Sequence, residues 1–174
     1  MALPPVASRR DSISLISPVD GAIDFEALPD PITSEQEKAG EGPTWFQLYS
    51  RGRNPGGVGE LPLHDDVEPT RFEVRPLTER ERSVARALSG LGEDDDREAR
   101  ILASTAYLGW CVRLGLVSVT GWEGWDFRRE THCGLRCWPA DALDGMDSVT
   151  SGFLALTIHE MSVLPLVSAA PSGS

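Results

Sequence analysis

The side chains best suited to chemistry are three cysteines and two histidines in the second half of the chain. His132, Cys133 and Cys137 lie close together in sequence, and folding could bring Cys111 or His159 beside them. Thiolate and imidazole groups are the ligands that structural zinc sites use. The local spacing is C-x3-C rather than the C-x2-C of most zinc motifs, and the sequence has no second close pair. We therefore predict no metal site and no bound cofactor.

The same residues could instead supply a nucleophile. Cys133 and His159 would form a thiol–imidazole pair if the fold placed them in contact. Nothing in the sequence indicates a lowered thiol pKa or a third group that would orient the imidazole. The sequence therefore predicts no catalytic residue and no enzyme. A small metal- or thiol-dependent protein that uses Cys133, Cys137 and His132 stays open as an alternative.

Composition and charge narrow the classes of partner. The formal net charge is −11, which disfavours a nucleic-acid backbone because binding phosphate needs clustered cations. Hydrophobic residues make up 40% of the 174-residue chain, enough for the core of one ordinary domain. The amino terminus lacks the apolar stretch of a signal peptide, and no apolar run is long enough to cross a membrane. We expect a cytoplasmic protein that binds neither nucleic acid nor membrane.

The stretch from Asp95 to Trp125 carries the strongest structural pattern. Asp95, with Glu98 three positions later, predicts a capped helix start. Gly115 is placed to end this helix in a left-handed conformation, and the β-branched run after it predicts a strand ending at Gly121. The predicted apolar stripe of the helix comprises Ile101, Leu102, Thr105, Ala106, Leu108, Gly109 and Val112.

Flanking segments add further elements. Residues 71–74 alternate polar and apolar side chains as a half-buried strand does, and Thr78 with Glu81 predicts the capping box of another helix. Two helices joined by a few acidic residues are expected to pack as an antiparallel hairpin. Asp147 or Ser148 should cap a last helix. Its apolar residues fall on more than one face and comprise Val149, Phe153, Leu154, Leu156, Ile158, Met161 and Val163.

The first 68 residues differ in composition from the rest. Ten of the 13 prolines lie between Pro4 and Pro76, which disfavours long helices there. The sequence predicts an extended arm and linker over residues 1–68, a helical core over residues 69–165 and a disordered tail over residues 166–174. The expected fold class is mainly α with a few short strands (α+β), a small domain of about three helices behind a long extended N-terminal arm.

The candidate contacts with partners are aromatic. Large aromatic side chains dominate interface energies, and an apolar island at residues 44–50 gives the arm an anchor. A glycine-punctuated loop at residues 121–139 holds further tryptophans, which either cap the helical hairpin or form an exposed recognition patch. An acidic surface would keep the unassembled protein in solution until its partner appears. The predicted partner-binding residues are Trp45, Phe46, Tyr49, Trp122, Trp125 and Phe153.

Three motifs in a fixed order resemble a known family. They are PTRFEVRPLTERE at Pro69–Glu81, LGLVSVTGWEGW at Leu114–Trp125 and WPADALDGM at Trp138–Met146, followed by a last amphipathic helix. Over residues 69–164 they resemble small accessory proteins of tailed-bacteriophage morphogenesis clusters and are most similar to tail assembly chaperones. In those proteins an F-x-x-R-P-L-T strand precedes a helix, and a V-x-x-W-x-G turn precedes the last helices.

The resemblance implies a function without catalysis. Such a protein binds the tape measure or other tail and capsid proteins, as a homo- or hetero-oligomer, in the host cytoplasm during assembly. A structural virion protein, such as a capsid decoration or head–tail connector component, is the alternative that the resemblance leaves open.

Overall fold

The computed structural model describes residues 12–27, 62–92 and 96–163. In these ranges the chain forms four α-helices, five short strands and one 3-10 turn at Phe25–Ala27. This combination confirms the expected α+β character. In chain order the elements are β1 (Ile13–Ile16), β2 (Arg71–Val74), α1 (Glu79–Ser89), α2 (Arg97–Gly115), β3 (Leu116–Thr120), β4 (Glu130–His132), β5 (Leu135–Cys137), α3 (Ala140–Asp144) and α4 (Ser148–Val163).

Strand β2 is the centre of a three-stranded antiparallel sheet with the order β1-β2-β3. Phe72 lies opposite Leu15 of β1, and Val74 lies opposite Leu116 of β3. All four side chains are buried, while Glu73 between them is only half-buried. The predicted strand at residues 71–74 is confirmed, and its alternation places one face on the core. Strands β4 and β5 form a separate antiparallel hairpin.

Part of the predicted N-terminal arm belongs to the folded unit. Strand β1 pairs with β2, and the side chains of Leu15 and Ile16 are buried. The N–H of Asp24 donates to the carbonyl of Pro62 at 2.9 Å, which ties residues 20–27 to residues 62–64. The folded unit therefore includes residues that precede the domain boundary predicted at residue 69. Pairing of β1 with β2 removes apolar side chains of β1 from water, which stabilises this arrangement. The island at residues 44–50 and the tail at residues 166–174 lie outside the described residues.

The capping box predicted for α1 is confirmed. Thr78 Oγ1 accepts from the N–H of Glu81 at 3.2 Å, and Glu81 Oε2 accepts from the N–H of Thr78 at 2.8 Å. Arg75 binds the same carboxylate through two nitrogens, at 2.7 and 3.0 Å. Burial favours the neutral acid, but the hydrogen bonds from Arg75 and Thr78 outweigh it and lower the pKa of Glu81. This buried carboxylate thus joins the end of β2 to the start of α1.

Aspartates cap the two long helices. Helix α2 begins one residue later than predicted, because Asp96 rather than Asp95 is the cap and accepts from the N–H of Ala99 at 3.1 Å. Asp147 caps α4 as expected and accepts from the N–H of Thr150 at 2.8 Å. Each carboxylate satisfies a donor that the first helical turn leaves unpaired.

Helix α2 packs against α1, α3 and α4, so the predicted contact between the first two helices is confirmed. Its buried face differs from the predicted stripe. Ile101 and Leu102 are 57% and 66% exposed, and Thr105 and Ala106 are exposed as well. The buried residues of α2 are Tyr107, Cys111, Val112, Leu114 and Gly115. Contact with the core is thus concentrated in the C-terminal half of the helix.

Gly115 ends α2 for a reason that the sequence did not reveal. It is the last helical residue, and Leu116 follows in an extended conformation with φ −73° and ψ 120°, so the predicted left-handed terminus is wrong. A Cβ atom at residue 115 would lie 2.5 Å from Ile158 Cγ2 and 3.0 Å from the carbonyl oxygen of Arg75. Close packing of α2 on α4 and on the end of β2 therefore requires glycine.

The substitution Gly115→Ala tests this packing. We expect it to lower the free energy of unfolding by about 1–3 kcal/mol, because the methyl group must push Ile158 away. Gly109→Ala in the same helix is the matched control, since its Cβ would meet only Leu143 Cδ2 at 3.8 Å. The control should be neutral or stabilise by up to about 1 kcal/mol. Urea unfolding followed by circular dichroism measures both, and equal effects would contradict the packing requirement.

Candidate functional site

A cavity of about 400 Å³ opens where the turn after β1, the start of β2 and the cap of α4 meet. This volume lies in the range typical of ligand pockets. The cavity combines carboxylates, buried hydroxyls and an aromatic wall. Its principal lining residues are Ser17, Asp20, Phe72, Trp122, Asp147 and Thr150.

A chain of hydrogen bonds forms the polar side of the cavity. The hydroxyl oxygens of Ser17 and Thr150 lie 2.6 Å apart, and both residues are 4% exposed. The Thr150 hydroxyl donates to Asp147 Oδ2 at 2.6 Å, which leaves its oxygen free to accept from Ser17. Burial raises the pKa of Asp147, but the hydrogen bonds from Thr150 outweigh it and lower that pKa. These bonds tie the end of β1 to the start of α4.

Phe72 and Trp122 form the aromatic wall of the cavity, and further rings follow Trp122 along the loop. Trp122 packs edge-on against Phe72 with ring centroids 6.4 Å apart, and Trp125 lies 5.2 Å from Trp122 and 5.3 Å from Trp138. Trp122 and Trp125 are half-buried against the core, whereas Trp138 is buried. The two rings therefore cover the sheet while keeping part of their surface exposed. Their role in partner binding stays a prediction.

Side chains close the outer edge of β3. Trp138 Nε1 donates to the carbonyl of Leu116 at 2.7 Å, and Arg129 Nη2 donates to the carbonyls of Leu116 and Val117 at 2.8 and 2.9 Å. The Arg129 guanidinium also lies over the Trp138 ring, 5.1 Å from its centroid. Unpaired carbonyls at a strand edge would otherwise attract another chain. No motif in the sequence indicates that this loop protects an edge.

The fold does not bring together the cysteines and histidines that were considered as metal ligands or nucleophiles. Cys111 and Cys137 are buried, while Cys133 is exposed in the β4–β5 turn with φ 49°. His132 packs against the ring of Trp110, with centroids 5.1 Å apart. In the part of the chain that the structure describes, no group of three or more His, Cys, Asp or Glu side chains could hold a metal ion.

Burial makes two of the thiols poor nucleophiles. It raises the pKa of Cys111 to about 11, although a hydrogen bond with Tyr107 opposes the shift. Burial also raises the pKa of Cys137, although the nearby Arg113 guanidinium opposes the shift. Because the thiolate is the reactive form, these two side chains are largely unreactive near neutral pH.

His159 lies in a polar junction between α1, α2 and α4. Its Nδ1 is 3.2 Å from the hydroxyl oxygen of Tyr107. Burial lowers the pKa of His159, and the cationic Arg86 and Arg82 lower it further, while Glu160 opposes them. The imidazole is therefore held neutral, and its contacts are those of a packed residue.

Apolar side chains are exposed on α2 and α4 at positions that belong to the predicted apolar stripes but not to the predicted partner-binding residues. Phe153 was predicted to bind a partner, but it is buried with 8% exposure because its ring packs into the core. On the same helix Val149 and Leu156 are about half exposed. On α2 a groove of about 330 Å³, which we name the α2 groove, is lined by Arg97, Arg100, Ile101, Ser104, Thr105 and Leu108.

The substitution Thr150→Val tests the hydroxyl chain. It removes the acceptor of the buried Ser17 hydroxyl, so we expect the free energy of unfolding to fall by about 1–3 kcal/mol. Thr105→Val is the matched control, because Thr105 is exposed, and it should change stability by no more than about 0.5 kcal/mol. Urea unfolding measures both variants. Ser17→Ala combined with Thr150→Val should cost less than the sum of the single changes, and strict additivity would contradict the bond.

The lowered pKa of His159 predicts a pH dependence of stability. The unfolded chain binds a proton at this histidine more readily than the folded chain does, so stability should fall as pH drops through about 6.5. His159→Gln removes the titrating group and should flatten the dependence between about pH 7 and pH 5. Urea midpoints measured across this range would show it. An unchanged slope in the variant would mean that His159 does not set the dependence.

Comparisons with known proteins yield no relative for this chain. No protein-family model, no curated protein and no solved structure matches it. Its function has to be inferred from its own residues and geometry.

Proposed function

We propose that this chain is a non-enzymatic protein of tailed-phage morphogenesis that binds tail or other virion components through the exposed apolar face of helix α2. The observation that carries the proposal is the exposure of Ile101 and Leu102, at 57% and 66%, on one turn of α2. Scattered exposed apolar residues are normal, but adjacent large ones beside a groove are typical of interaction sites.

The placement of the reactive side chains also supports binding rather than catalysis. Cys111 is buried with a raised pKa, and His159 packs between helices beside Tyr107. Asp147 serves as a helix cap. Each of these groups contributes to folding, and none of them faces another in a nucleophile–base arrangement.

The resemblance to tail assembly chaperones supplies the biological setting. The FEVRPLT motif forms β2 and leads to the cap of α1, and the VTGWEG motif ends β3 and opens the aromatic loop. An acidic protein with exposed apolar helix surface suits a factor that keeps partner segments in solution before they assemble. No helix in residues 12–27, 62–92 and 96–163 is long and apolar enough to cross a membrane.

Mass spectrometry of mature particles and co-expression with tail proteins test the proposal. We expect the chain to be absent from mature particles and to co-purify with a tail component during assembly. Ile101→Asp with Leu102→Asp should abolish co-purification, because two desolvated apolar contacts are lost. Val149→Asp with Leu156→Asp is the matched control on α4 and should retain it.

Two outcomes would decide against this function. Stoichiometric presence in mature particles would establish the structural virion protein instead. Failure to associate with any tail or capsid protein during assembly would remove the phage setting altogether.

A further inference from the structure

We infer that the α2 groove is the docking site for a partner helix that is amphipathic and carries acidic residues beside its apolar face. This inference rests on the proposed function and names the chemistry of the partner segment. The groove offers shape, apolar surface and charge that together select such a helix.

The shape of the groove fits a helix. Ile101 and Leu108 stand seven residues apart on one face of α2, a separation of about 10 Å or two helical turns. The smaller Ser104 and Thr105 lie between them and form the floor. A large side chain on one helix packs into such a gap between the side chains of another. The spacing therefore matches apolar residues that recur every three or four positions on a partner helix.

The Thr105 hydroxyl in the floor of the groove does not demand a polar partner. The Thr105 hydroxyl donates to the carbonyl of Ile101 one turn earlier, at 3.0 Å. Its hydrogen-bonding need is met within the helix, so the apolar methyl group can be covered by a partner without leaving a donor unpaired. Burial of Ile101, which is 57% exposed, would then provide much of the favourable contact.

The groove continues a face that already packs on helices. Leu108 is half-buried, and Val112 one turn later is buried with 1% exposure. At the end of the same stripe, α2 packs so closely on α4 that a Cβ on Gly115 would lie 2.5 Å from Ile158 Cγ2. The C-terminal half of this face is therefore filled by the chain's own α4. A partner helix would extend the same mode of packing along the N-terminal half.

Charge selects the sign of the partner. Arg97 and Arg100 line the groove in a chain with a formal net charge of −11. Arginine pairs with carboxylates through two parallel hydrogen bonds, so glutamates or aspartates flanking the partner's apolar face would meet these guanidiniums. A nucleic acid would meet the same two cations, but its phosphate backbone has no apolar face to cover Ile101 and Leu108. An acidic amphipathic helix satisfies both the apolar and the charged features.

Isothermal titration of the full chain with two designed peptides tests the inference. Both are end-capped amphipathic helices of about 18 residues with the same leucine face, flanked by glutamate in one and by lysine in the other. We expect the glutamate peptide to bind with a Kd of about 10–100 μM and the lysine peptide at least about tenfold more weakly. Arg97→Glu with Arg100→Glu should reverse that preference.

Substitutions within and outside the groove complete the test. Ile101→Asp should weaken binding of the glutamate peptide at least about tenfold. Leu156→Asp on α4, where the side chain is 46% exposed, is the matched control and should leave binding unchanged. Circular dichroism of each variant establishes that it is folded, so that lost binding reflects the groove.

Several results would overturn the inference. The first two are equal affinity for the two peptides and peptide binding that survives Ile101→Asp. The third is self-association of the chain that Ile101→Asp abolishes, because a second copy of the chain would then be the occupant of the groove. The peptide result and the tail-protein result are separable. If the glutamate peptide binds but no tail component co-purifies, the phage function is contradicted and the groove assignment stands. If a tail component co-purifies but the chain does not distinguish the two peptides, the groove assignment is contradicted and the phage function stands.

Discussion

The close approach of three elements at Gly115 governs the geometry of this fold. The carbonyl of Gly115 accepts from the N–H of Arg75 at 2.9 Å, while Ile158 of α4 fills the space where a Cβ would lie. Helix α2 can therefore pass directly into β3, and Leu116 pairs at once with Val74 of the central strand. A longer connection at this point would separate the helix from the sheet that it covers.

This anchoring at one end explains why the other end of α2 is exposed. The helix has 19 residues and is about 28 Å long, whereas strands of four or five residues span only about 13–17 Å. A helix fixed to the sheet at its C-terminus must extend beyond it. Ile101 and Leu102 are exposed because of this mismatch in length, and the α2 groove is its direct consequence.

The parts of the fold that could be predicted from sequence depend on local spacing. The alternation at residues 71–74 specifies β2, and the pair Thr78 and Glu81 specifies the cap of α1. Both patterns involve only a few neighbouring residues, so they do not depend on the remainder of the chain. The role of Gly115 cannot be read from sequence, because a glycine needed for a left-handed terminus and a glycine needed for close packing look alike there. The apolar stripe of α2 had the correct period, but its burial depends on what lies opposite.

The N-terminal strand and the candidate site were harder to foresee for the same reason. Prolines around β1 suggested an arm, whereas β1 pairs with β2, and the bond between Ser17 and Thr150 joins residues 133 positions apart. His132, Cys133 and Cys137 lie close in sequence, yet Cys137 is buried while Cys133 is exposed. Cys133 lies in the turn of the hairpin with φ 49°, whereas Cys137 is the last residue of β5, so short spacing alone does not assemble a metal site.

The charge of the molecule and the charge of the α2 groove act at different ranges. A net charge of −11 repels another acidic chain, but in physiological salt that repulsion is screened beyond about 8 Å. Arg97 and Arg100 act at contact, where a carboxylate is partly desolvated and screening is weaker. The two arginines would therefore attract an acidic partner helix only once its apolar face is in contact with Ile101 and Leu108. Such an order makes selection depend on shape first and on charge second, which disfavours indiscriminate binding of acidic proteins.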